Sequence, residues 1–293
     1  MKRALLVIFT LVTSSTVAYT LYSSNKDSLR ESIIFFPLDP EVTFTEANTQ
    51  LTLVNEKDND EYVIEWDVNS ILDREVYLRQ DVSFLFADGR LKATLSEWEE
   101  NSQKLSQHSK MTGEDSSHFI SITYHHGEIH DDKGMIKSTQ RMSGDQLYVI
   151  DSSFSPLHSF REPVTSIEKE WKKVLDHATE QQLQYSWNKL LKTFQIPENN
   201  YHILPLTDLI QYNDKPLYEM SMEQSQKTIG NLWEGLYKQY FLGIKKSNGS
   251  IVDPIGSTIP LILISKDLTH ILILIETSEG EAIQLIQYLK EVG

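Results

Sequence analysis

Lys2 and Arg3 are followed by Ala4 to Asn25, a run with no charged side chain. A short basic start before such a run marks export or membrane anchoring, so this feature restricts where the rest of the chain folds. Ala4 to Val12 is a dense apolar core of signal-peptide length, and Thr13 to Ala18 supplies small residues that permit cleavage, with Thr16-x-Ala18 a fair match to the small-x-small rule. Left intact, Ala4 to Tyr22 is close to the ~20 residues needed to cross hydrocarbon. Lys2 and Arg3 would then stay on the cytoplasmic side, with Tyr19 and Tyr22 at the outer interface. Residues 1–24 are therefore a cleaved leader or a retained anchor, and the expected location is the extracytoplasmic face of the membrane or the secreted space.

The chain contains no cysteine. An exported body without disulfides, thiolate ligands or a lipid-modified cysteine depends on its packed core for stability. Some 270 residues beyond the leader are enough for one large domain or two modest ones. With Lys2 and Arg3 set aside, 25 basic residues face 42 acidic ones, a net of −17. That balance argues against nucleic acid and against adhesion to anionic headgroups. Residues 41–156 carry 22 acids and 10 bases, against 17 and 13 in residues 157–293.

Residues 25–40 read as a tether that ends in Ile33-Ile34-Phe35-Phe36, an apolar knot expected to dock on the body. Residues 41–156 then alternate apolar and polar positions between turn residues, the pattern of antiparallel sheet. Thr49–Val54 and Tyr62–Val68 flank Asp58-Asn59-Asp60. Val82–Phe86 and Leu91–Leu95 flank Asp88-Gly89, the strongest hairpin signal present. His118–His130 and Met135–Met142 flank a further turn, and Gln146–Ile150 completes the set. The polar stretch Glu97–Lys110 reads as a short helix or a loop, and Ser152–Pro163 as a crossing segment.

From Thr165 the period becomes helical. Thr165-x-x-Glu168 matches a capping box, and a second helix is expected from Ser221. Tyr240–Ile244, Pro260–Ile264 and His270–Ile275 read as three strands. Glu279–Val292, with Ala282, Ile283, Leu285, Ile286 and Leu289 at helical spacing, reads as a covering helix. The expected fold is α+β: an N-terminal antiparallel sheet, a helical middle, and a C-terminal three-strand meander with a covering helix.

One cluster carries metal-binding chemistry. On a strand, His126, Glu128 and His130 share one face, with His125 and Ile129 on the other. Residues two apart lie about 7 Å from each other and can share an ion, whereas residues four apart lie about 13 Å away. At most two of the three bind one zinc, and a catalytic site would need a further ligand, with His118, His108 or His158 as donors. Asp58, Asp60, Asp131 and Asp132 offer hard oxygens for calcium but lack the spacing of a dedicated loop. Ser166-x-x-Lys169 has the spacing of a lysine-activated serine, which helix capping explains more simply. No cofactor is expected otherwise, and no catalytic residue is assigned. The partner expected is a protein or envelope component, with the membrane contacted through residues 4–22. The rival reading is a metal-dependent envelope hydrolase at His126 and Glu128.

Overall fold

The computed structural model describes residues 33–58, 61–131, 133–153, 155–245 and 249–289. Mostly antiparallel strands alternate with two long helices over this range, and residues from Ile33 onward cluster into one compact unit. The leader, the first part of the tether, the Asn59-Asp60 turn tip and Asp132 lie outside the described residues.

The larger, six-stranded sheet is organised by β2 (Glu61–Ala87), which is long enough to serve two layers. Its first half pairs with β1 (Phe44–Asp58) and its second half with β4 (Ser117–His130), while β3 (Arg90–Gly113) follows it on the other side. The β2–β3 ladder breaks register between Ile71 and Val76, and an interruption of this kind bends a β ribbon. β1 then lies over β5 (Ile136–Ser152), which pairs with β4 and with β6 (Ser155–Phe160). The β2–β3 turn is formed by Asp88 and Gly89, both at positive φ (50° and 80°), the two-residue geometry that suits the twist of the flanking strands.

Alternation decides what enters each layer. One face of β2 and β4 contributes Leu85, Ala87 and Phe119 to a core shared with Leu51, Tyr62, Ile64 and Trp66 of the overlying layer. The opposite face contributes Val82, Phe84, Ile122 and Tyr124 to the main core. That core continues through α2 (Met222–Phe241) into a four-stranded sheet ordered β12-β11-β10-β7. Its members are β7 (Tyr201–Pro205), β10 (Leu261–Ser265), β11 (His270–Glu276) and β12 (Ala282–Tyr288); β8 (Ile244–Lys245) and β9 (Ile251–Val252) form a separate short pair. The even-numbered positions of β10 face α2, whereas Leu261, Leu263, Leu272 and Leu274 face Leu190 and Leu191 of α1 (Ser166–Thr193). β10 and β11 are thus covered on both faces, which explains their unbroken apolar sequence.

α1 begins where the capping box sits: Thr165 accepts from the Glu168 N–H, and Glu168 accepts from the Thr165 N–H. These bonds, the Thr165 N–H first, then His158 and the Val164 N–H, hold the Glu168 carboxyl down at about 2. The cap therefore stabilises the fold fully above the ordinary pKa of 4.5 and loses that contribution as pH falls from there toward 2. Glu168→Gln is expected to flatten this part of a stability-versus-pH profile measured by chemical denaturation. An unchanged acid limb would show that the cap does not couple to folding.

Several sequence expectations are corrected. Residues 279–289 do not form the covering helix expected over 279–292, of which 290–292 lie outside the described residues; 282–288 are β12, paired in full register with β11 from Glu276↔Ala282 to His270↔Tyr288. Gly280, at φ +78°, turns the chain back so that β12 satisfies the backbone edge a helix would leave open. Tyr240 and Phe241 end α2 instead of opening a strand. Glu97–Lys110 is neither helix nor loop but part of β3, whose polar sequence reflects a sheet edge with one face in water. Within Ser152–Pro163, residues 155–160 form β6. The apolar knot does dock: Ile33 is buried in the main core, and a Cβ on Gly230 of α2 would collide with the Phe35 ring.

Candidate functional site

The sandwich interior changes character along β2. Below the apolar residues Leu85 and Ala87 come Ser83, Asp81 and Arg79, all with no solvent exposure. Strand register places Asp81 opposite His125 and Ser83 opposite Thr123. Thr123 in turn lies opposite Ser143 on β5. The polar side chains of three adjacent strands therefore converge on one layer, roofed by Thr49 of β1 and Ser70 of the first half of β2.

Their bonds form one connected chain. His125 Nδ1 lies 2.8 Å from Asp81 Oδ2 and its Nε2 lies 2.7 Å from Ser143 Oγ. From Ser143 the chain runs through Thr49 and Thr123 to Ser83, each step 2.6 Å. An ionised carboxylate only accepts, so His125 donates from Nδ1 to Asp81, which leaves Nε2 facing the Ser143 hydroxyl. Arg79 closes the other side: Nη2 donates to Ser70 Oγ at 2.5 Å, Ser70 donates to Asp81 at 2.6 Å, and Nη2 lies 3.6 Å from the second Asp81 oxygen. Burial pulls the Arg79 guanidinium below its ordinary pKa, and the Asp81 charge opposes that shift.

Carboxylate, imidazole and hydroxyl in this order are the parts with which serine hydrolases activate a nucleophile. Here all three are enclosed. Ser143 Oγ is bonded to Thr49 of β1 as well as to His125. Asp81 and His125 are fully buried and Ser143 is 7% exposed. As arranged, the network holds two layers in register.

The residues singled out in sequence lie elsewhere. His126 points from β4 into the main core, fully buried, its ring 6.2 Å from that of Tyr124. Glu128 and His130 pair directly at 2.6 Å, and His130 stacks on Tyr77 at 3.7 Å. The other histidines are engaged separately: His118 stacks on Tyr148 and burial lowers its pKa, His108 meets Asp67, and His158 meets Glu168. Among the described residues no group of three His, Asp or Glu side chains lies close enough to hold an ion. Asp131 Oδ1 accepts the N–H groups of Lys133 and Met135, so this carboxylate closes its own turn. Ser166 opens α1, one residue after the capping Thr165.

The Asp81–His125–Ser143 set escaped sequence reasoning because its members come from three strands, 44 and 18 positions apart. A usable signal was present: polar residues at alternate positions on strands whose other face is apolar.

No family model matches the chain, and no curated protein matches it. Among solved structures, the CARDB domain of a Pyrococcus furiosus protein, in complex with di-metal ions, is 10% identical, covering 40% of this chain and 98% of that one. The TM-score of 0.21 is too low to indicate a shared fold. Among the described residues no helix is long and apolar enough to cross a membrane.

Proposed function

We propose that this chain is an extracytoplasmic globular protein, anchored through residues 4–22 or released by cleavage after them, that binds a protein or envelope component without chemically transforming it. The observation that supports this reading is the enclosure of the Asp81–His125–Ser143 relay: the side chains best ordered for catalysis are committed to joining sheet layers. A fluorophosphonate probe applied to the folded full-length protein is expected to leave Ser143 unlabelled, and the purified protein is expected to carry no stoichiometric zinc or calcium. Labelling of Ser143, or an ion that disappears in His126→Ala, would replace binding with hydrolysis as the activity. N-terminal sequencing of the mature protein decides between anchor and leader.

A further inference from the structure

The exposed apolar side chains include a group near the point where the chain enters the fold. Tyr77 is 44% exposed, Met135 52%, Ile136 36% and Ile34 44%. Tyr77 stacks on His130, which lies directly opposite Ile136 in the β4–β5 ladder, and Met135 is the next residue in that turn. The entering segment is fastened to the same end of β5. Leu38 bridges Ser138 in parallel, Ser138 donates to the Phe36 and Pro37 carbonyls, and Lys137 pairs with Asp39 at 2.9 Å.

The length of chain outside the described residues limits how far this end lies from residue 22. From Tyr22 to Ile33 the backbone makes eleven steps, which span at most about 40 Å. We infer that Tyr77, Met135 and Ile136 form a second contact with lipid, seated in the interfacial layer of the bilayer in which residues 4–22 are anchored. This rests on the anchored form of the proposed function.

The chemistry of the face favours apolar insertion over attraction to anionic headgroups. The charged residues that flank it in the chain are Arg74, Lys133 and Lys137 against Asp73, Glu75 and Asp131, and Lys137 is paired with Asp39, so it has no basic excess. A tyrosine beside unpaired aliphatic side chains suits the layer between hydrocarbon and water. A face this small would hold a free protein weakly. Tethering changes that, since a covalently anchored body meets the same bilayer at a high effective concentration.

The chain's lack of cysteine makes a direct test available. Met135→Cys in the full-length protein would be labelled with an environment-sensitive dye and the protein reconstituted into phosphatidylcholine vesicles containing a headgroup-level nitroxide lipid. Glu114→Cys serves as the control: it is exposed and lies before the start of β4, roughly 40 Å along that strand from His130. The expected result is a blue shift and nitroxide quenching at position 135, unaffected by salt, with neither at 114. Adding Ile136→Glu should return the 135 label to water while the protein still floats with the vesicles. Protein that floats while its 135 label reports water overturns the lipid contact and leaves the anchor standing. Protein that does not float overturns both. A blue shift that depends on the protein-to-lipid ratio would mean that copies of the chain meet through this face, which also overturns the lipid contact.

Discussion

Asp81→Ala is expected to destabilise the folded protein by about 3–5 kcal/mol, the cost of removing one partner from a buried ion pair. The carboxylate is the acceptor on which Ser70 and His125 converge, and it faces the Arg79 guanidinium at 3.6 Å. Arginine retains its charge in proteins, so the substitution leaves a cation in a layer with no solvent exposure. The remaining acceptors, the Gln103 and His126 carbonyls and Ser70 Oγ, are neutral. At about 2–4 °C per kcal/mol for a domain approaching this size, the melting temperature should fall by roughly 10 °C or more. The double variant Arg79→Met with Asp81→Leu is expected to recover much of the loss, because exchanging both charges for apolar groups removes the uncompensated ion. Denaturant unfolding of the two single variants and the double variant measures this directly. A loss below about 1 kcal/mol for Asp81→Ala would mean that water reaches the network and that the layers are not sealed there.

The same network shows how far the sequence could be read. Period-2 alternation located β1, the β2–β3 turn and both strands around the 131–134 turn, because apolar and polar residues alternate there between turn residues. It failed at β3, where residues 97–110 pair along an edge and carry few apolar side chains. It failed differently at 282–288. Ile283, Leu285, Ile286 and Leu289 satisfy helical spacing and alternation equally well over so short a segment. The unpaired edge of β11, a tertiary feature with no trace in the local sequence, decides the outcome. Helix starts were legible for the opposite reason, since capping boxes at Thr165 and Ser221 are local bonds between residues three apart. Site residues follow the same rule. Glu128 and His130 are neighbours in sequence and in space, whereas Asp81, His125 and Ser143 become neighbours only after three strands take a common register.

The second large effect is expected at Trp233, whose replacement by alanine should cost about 3–5 kcal/mol through a lost core aromatic and the cavity left behind. The indole is fully buried on α2, stacked on Phe84 at 5.3 Å and on Tyr124 at 5.2 Å. Its N–H finds no hydrogen-bond partner among the described residues. Trp233→Phe should therefore cost far less than Trp233→Ala, since it keeps an aromatic ring and relieves a buried unsatisfied donor. The position also bears on domain organisation. Phe84 and Tyr124 belong to the N-terminal half, while Ile262 and Ile273 of the second sheet share the core that Trp233 joins. If that core is one cooperative unit, thermal unfolding followed by tryptophan fluorescence and by far-ultraviolet circular dichroism should give one transition, and Trp233→Ala should move it as a whole. A variant in which only part of the dichroism signal melts early would show that residues 41–156 fold without the C-terminal sheet, so that the shared core joins two domains and is not the interior of one.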